Sequence, residues 1–398
     1  MTCGGRRASS APVHLALAAL AACAGCPCAD GAQWSVEPQL GLLVDYNSNL
    51  LLSPSGAQAS EGTTLDLDTT LKRVTDDTEM DLHPHLELQR FASDAALNAD
   101  NDSLQGAFSQ LGERSSISLT GSYERVSTLT TELSDTGIID TSTHRETGNI
   151  SVTLGHDITE RQHLDLQGSY TDVIYPGGEL VGLIGYRYPV VSLTDTFTLS
   201  PLTSVAAAVQ TDQLKAPISG YEAHDNGVRF GVTHKFSTRT KLSATAGITQ
   251  TTVSNSAQNF TQNSTQYGYV WELHATHNSE LRQWDFDYSR TLTASGRGYL
   301  VRRDAVNLTV AQNVAPRLYA TFTLQDIHNT DLYSGVFQDV PRYISSDGGF
   351  DWHLSEHVVL SFTAGLAEIH EPISYQLARG WHTALTTRWT PVPLSTSR

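Results

Sequence analysis

His83 and His85 alternate with Asp81 and Glu87, so all four side chains share one face if the segment is a strand. Imidazole and carboxylate groups are ligands for a divalent ion, and neighbours at i and i+2 lie close enough to share one. The spacing does not make four ligands converge, and the plainer expectation is a row of polar side chains around Pro84. His274 and His277 fall on opposite faces of a strand and make a weaker pair. A larger set of charges repeats the same alternation. Asp66, Asp68, Asp81, Glu87, Glu124, Asp165, Glu272, Asp285 and Asp287 stand opposite apolar neighbours, and Arg229, Lys235 and Arg388 share their face. A ladder of both signs serves either as the lining of a selective channel or as salt-bridged filling that only stabilises a wall. Its summed acidity favours cations or neutral polar solutes over anions.

Catalysis finds little support. His224-Asp225-Asn226-Gly227 resembles the His-x-Ser-Asn-Gly stretch of outer-membrane phospholipases, but the serine is missing and the glycine is expected to serve a turn. No nucleophile stands beside a base, and there is no Gly-rich phosphate loop, zinc-binding spacing or nucleophile elbow. The sequence therefore points to neither an enzyme nor a cofactor.

The elements that carry these charges are strands. From Trp34 onward apolar residues fall on every second position, as in Trp284, Phe286, Tyr288 or Val358, Leu360, Phe362, Ala364, Leu366. Period two marks strands with one oily and one wet face. Its persistence without a helical stretch, with acids on the wet face, predicts an all-β, antiparallel, up-and-down transmembrane β-barrel of about eighteen strands (16–18). A soluble all-β protein would have to protect many long strand edges, which argues against it. Connections alternate in length. Short ones, such as Asp76-Asp77-Thr78, Thr159-Glu160-Arg161 and Ala315-Pro316-Arg317, recur every 36 to 47 residues. Long polar ones lie between them, among them 48–62, 128–146, 215–225 and 254–265. Short turns belong to the periplasmic rim and long loops to the outside, and an even strand count returns both ends to the periplasm. Trp34, Tyr46, Tyr123, Tyr170, Tyr267, Trp284, Trp381 and Trp389 sit near strand ends on the oily register, as interfacial girdles do.

Residues 1–31 read as a secretory signal peptide, with Arg6 and Arg7 before an apolar run, Val13 to Cys26, too short to span a bilayer. Leu20-Ala21-Ala22-Cys23 also fits a lipoprotein box, so ordinary and lipoprotein cleavage both stay open. All four cysteines lie in this leader, which leaves residues 32–398 as one barrel without a disulfide framework. The chain's net charge of −17 becomes about −18 once Arg6, Arg7 and Asp30 are removed, which argues against a nucleic-acid partner. Hydrophobic content of 39% still suits a membrane protein in which only alternate residues meet lipid.

Trp34-Ser35-Val36-Glu37-Pro38, running into Asp45-Tyr46-Asn47-Ser48-Asn49, resembles the opening of bacterial outer-membrane barrels encoded with exopolysaccharide synthesis and export systems. Ser118 to Arg125 with Ser127 to Leu133, and Gly185-Tyr186-Arg187-Tyr188-Pro189, resemble them too. The resemblance implies a place in the outer membrane, delivery by the barrel assembly machinery, polysaccharide export components as partners, and passage of polar solute or polymer. The rival expectation is a plugged structural barrel whose loops hold surface polysaccharide, for which the amide- and hydroxyl-rich 254–265 loop around Phe260 is suited. The loop at 128–146 is the best candidate to fold into the lumen. Outer-membrane barrels usually end on an aromatic residue. Here Trp389 is the nearest, so the tail is either a periplasmic extension or a last strand continuing past Pro393.

Overall fold

The computed structural model describes residues 32–136, 143–255, 262–332, 342–370 and 376–397. Residues 1–31, expected to be a signal peptide, and part of the 254–265 loop lie outside them. The strands are β1 (Gln33–Asn47), β2 (Ser60–Val74), β3 (Thr78–Phe91), β4 (Ala99–Leu111), β5 (Ser115–Ser127) and β6 (His144–Thr159). They continue as β7 (Gln162–Ile174), β8 (Tyr186–Ser200), β9 (Thr203–Ala216), β10 (Tyr221–Lys235), β11 (Thr240–Asn255) and β12 (Gln262–Asn278). The last are β13 (Arg282–Ala294), β14 (Leu300–Ala315), β15 (Leu318–Asp331), β16 (Arg342–His353), β17 (Val358–His370) and β18 (Leu377–Trp389). Each pairs antiparallel with its sequence neighbour, and β18 returns to β1 with Leu40 opposite Trp389 and Asn47 opposite His382. The result is a closed barrel of eighteen strands. Closure leaves no unpaired edge, which is the condition for strands in hydrocarbon.

A further segment, β19 (Leu394–Ser397), resolves the question of the tail: the last strand runs on. It pairs Leu394 with Val36 and Ser397 with Gln33, below the point where β18 leaves off. Pro391 and Pro393 have no amide hydrogen to give, so the ladder breaks over this stretch and resumes one residue out of step.

The alternation sorts cleanly. Leu40, Leu42 and Val44 on β1, Leu67 on β2, Val228, Phe230 and Val232 on β10, and Phe362 and Leu366 on β17 are all exposed on one register. Apolar side chains bare on a closed barrel form a lipid-facing belt. The eight aromatic residues expected in girdles share that register. Tyr46 and Trp381 pack at 5.0 Å on one rim, and His277 stacks on Trp284 at 6.0 Å near the other. The three register shifts lie at the ends of β6, β8 and β14, each beside a short turn, where an extra residue disturbs pairing least. Several connections expected to be long are shorter. Between β9 and β10 only residues 217–220 stay outside strands, so Tyr221 to Asp225 belong to β10. The ladders extend above the belt because polar residues pair in the backbone as well as apolar ones. Gly227 is accordingly no turn residue: it lies within β10, paired with Gln210 and Thr249.

Candidate functional site

Lys235 aside, the other eleven charged residues of the ladder stand on the register opposite the exposed apolar side chains, spread around the wall on β2, β3, β5, β7, β10, β12, β13 and β18. The barrel brings only some of them into contact. Arg229 Nη1 meets Glu272 at 3.0 Å, His85 meets Asp66 at 2.8 Å, and His163 meets Asp165 at 3.0 Å. Asp81 lies 3.9 Å from the Lys72 ammonium. Asn101 donates to Glu87 at 2.6 Å, and Gln105 reaches Glu124 at 3.4 Å. Asp68 and Arg388 make no ion pair among the described residues. Lys235 also takes the inward register.

The His83/His85 set does not converge. His83 bonds Thr70 at 3.0 Å and His85 turns to Asp66, so each ligand type is engaged separately. A tighter group forms where sequence spacing gave no hint. His274 on β12 lies 2.6 Å from Asp287 and 3.8 Å from Asp285, both on β13. Only cross-strand register, with His274 directly opposite Asp287, puts them together.

The element that organises the lumen is the segment after β5. Thr128–Thr131 form one helical turn, α1, begun by Ser127, whose hydroxyl accepts from the Leu129 amide. The chain then runs inward, and Glu132 is fully buried with Thr136. Tyr175, just past β7, donates to Glu132 Oε1 at 2.6 Å, Thr136 donates to Oε2 at 3.0 Å, and Arg145 on β6 stands 3.6 Å away. Burial pushes the Glu132 carboxyl above its ordinary range, and neighbouring Asp135 adds to this against the opposing pull of Tyr175, Arg145 and Thr136.

Asp135 reaches the far side. It is ion-paired with Arg303 on β14, accepts from the Gly296 amide at 3.0 Å, and its carbonyl accepts from Asn329 on β15 at 3.1 Å. Arg297 donates to the Thr136 carbonyl at 3.2 Å. β5 and β14 stand nine strands apart in a ring of eighteen, so this segment crosses the lumen from one wall to the opposite one. Gly296 permits the close approach, because a Cβ there would collide with the Glu132 carboxylate and the Tyr175 hydroxyl. The expectation that this loop folds inward holds for its described residues, while its anchors Glu132, Asp135, Arg145 and Arg303 went unmarked in the sequence. Nothing but their spatial meeting distinguishes them.

Two zones flank the crossing. On one side the 176–185 and 295–299 loops fold over the wall and bury Val173, Tyr175, Leu183, Leu214, Ala223, Tyr299 and Leu300 in one apolar cluster. On the other, a cavity of about 480 Å³ opens between the segment and the wall of β1–β3 and β16–β18. Leu129 and Leu133 border it from the segment, Leu133 packing into one apolar cluster with Leu52 and Tyr343. Asp45, Glu87, Asn47, Gln89 and His382 supply its polar lining. His382 is held by Asp347 at 2.6 Å. Among the described residues the cavity has no lysine or arginine in its lining.

No family model matches the chain, and no curated protein matches it. Among solved structures it is similar to OccK9 (OpdG) of Pseudomonas aeruginosa, at 12% identity over 91% of this chain and 98% of that one, with a TM-score of 0.49. It is also similar to Pseudomonas aeruginosa OpdK, solved with vanillate, at 10% identity over 91% and 99%, with a TM-score of 0.47. A third is OccAB2 of Acinetobacter baumannii, at 11% over 90% and 98%, with a TM-score of 0.46. Likeness at this level brings no ligand or partner to this chain. The closed antiparallel barrel, its apolar belt and its polar interior are the architecture of a membrane-spanning β-barrel.

Proposed function

We propose that the protein is a loop-constricted diffusion channel for small polar solutes that prefers cations to anions. The observation that carries this reading is the segment 128–136, pinned to both walls yet leaving beside it a cavity lined by Asp45 and Glu87, with His382 held by Asp347 and, among the described residues, no lysine or arginine in the lining. A fixed carboxylate field in a narrow, low-dielectric passage lowers the energy of a cation and raises that of an anion. Elsewhere on the wall Lys72, Arg145, Arg229 and Arg303 each face a carboxylate, so their charge is largely spent inside the protein. The inward acids Asp66, Asp68, Asp81, Glu87, Glu124, Asp165, Glu272, Asp285 and Asp287, with Arg229 and Arg388, are the lining of this channel.

The narrow crossing favours small solutes over a polysaccharide chain, so export of an exopolysaccharide is the less favoured reading. A plugged structural barrel is the second reading, and the apolar cluster over β7–β11 favours it. Swelling of proteoliposomes in iso-osmotic solutes separates the two. Fast swelling in a small amino sugar and slow swelling in a sugar acid of the same size is expected. Faster entry of the acid overturns the cation preference, and no swelling with an intact barrel supports the plug.

A further inference from the structure

Asp212 on β9 and Asp225 on β10 are direct cross-strand partners on the inward register, and they are only 4% and 3% exposed. One step above them toward the loops, Leu214 and Ala223 are sealed within the apolar cluster. Thr251 donates to Asp225 Oδ1 at 2.5 Å, and Gln210 donates to Asp212 Oδ2 at 3.0 Å. Tyr188 on β8 turns its hydroxyl to Asp212. Asp212 Oδ1 is fully shielded and accepts no hydrogen bond of ordinary geometry. Among the described residues neither carboxylate has an ion-pair partner, and Arg229, four residues along β10, is held by Glu272.

Two carboxylates buried side by side require a positive counter-charge, a shared proton or a bound cation. An orphaned carboxylate oxygen belongs to a coordination sphere more naturally than to a satisfied polar network. The atoms that could coordinate are all oxygen: two carboxylates and the Thr251 and Tyr188 hydroxyls, while the Gln210 amide nitrogen holds Asp212 Oδ2 in place. An all-oxygen set with two acids selects a hard divalent ion, and flexible side-chain donors without octahedral order suit calcium over magnesium. We propose that Asp212 and Asp225 bind one calcium-type divalent cation beneath the apolar cluster, joining β8, β9, β10 and β11 at the level where the loops fold inward. This inference does not depend on the channel reading, since a plugged barrel would hold the same ion. It also gives a role to Asp225 of the His224–Gly227 stretch, which the channel leaves unused.

Terbium, a calcium substitute excited through nearby tyrosine, provides the test on the refolded protein, with Tyr188 as the sensitiser. Tyrosine-excited terbium emission that calcium displaces and magnesium displaces poorly is expected. Asp212→Asn and Asp225→Asn should each abolish it, and Thr251→Val should weaken binding about tenfold or more, as loss of a partner that orients a ligand does. Calcium should also raise the temperature at which the unmodified barrel loses its compact gel mobility, a readout that needs no variant. Absence of both the emission and the calcium effect in a folded barrel means a shared proton and overturns the proposal. So does emission that survives Asp212→Asn and Asp225→Asn but vanishes in Asp287→Asn, which would place the ion at His274.

Discussion

At the scale of single residues, the lumen is governed by a few buried charges with unequal fates. Removing Arg303 from Asp135 leaves a shielded carboxylate without its cation, a loss that typically costs about 3–5 kcal/mol when such pairs are broken. Arg303→Ala should therefore release the far end of the crossing segment while the barrel stays closed. Single-channel conductance checks this: the variant is expected to conduct more than the parent, and unchanged conductance would mean the segment is held elsewhere. Glu132 behaves differently. Its carboxyl is raised by burial while facing Tyr175, Arg145, Thr136 and Asp135, so the docked segment holds the proton more tightly than the free one. Its contribution to docking is full below the free value and fades as pH rises through the docked value. Conductance should accordingly be lower near pH 5 than near pH 8, and Glu132→Gln, fixed in the uncharged form, should flatten that dependence. A rise on acidification would contradict the assignment. The sequence marked the inward face of these strands through period two, but residues such as Glu132 carry no pattern. Their role arises when segments more than a hundred residues apart meet, as Asp135 and Arg303 do.

Among the elements, strands were the most legible because a slip of one residue would turn every leucine of the belt inward. Loops were the least legible, since hydrogen bonds to the wall decide whether they project or fold, and composition does not record this. The segment 128–136 and the 215–225 stretch show both sides: the first dips inward as its length suggested, and the second mostly continues as strand. The tail was ambiguous for a local reason. Pro391 and Pro393 look like a terminus, yet the strand resumes at Leu394 against Val36. Ending the chain after Thr390 should leave Gln33 to Val36 paired only with β2 and weaken the seam. A lower temperature for loss of compact mobility on gels is expected, and an unchanged temperature would make β19 dispensable.

For the whole molecule, the two faces of one wall predict opposite responses to the same chemistry. Phe230→Arg puts a charge into the lipid belt at mid-strand and should cost about 2–4 kcal/mol of barrel stability, measured by denaturant unfolding in lipid. Asp285→Arg, on the inward, water-facing register of β13, should leave stability nearly unchanged and shift ion preference toward anions. Equal destabilisation by both would undo the assignment of inside and outside. Beyond these faces, the account rests on a passage that is narrow because a segment crosses it and cation-preferring because acids line what remains. The most direct test is the reversal potential of single channels of the refolded protein under a potassium chloride gradient. Small, stable conductance steps with a reversal potential on the potassium side are predicted, with larger and less selective steps once Arg303 is removed. A reversal potential on the chloride side, or a silent barrel that stays silent in Arg303→Ala, would contradict it.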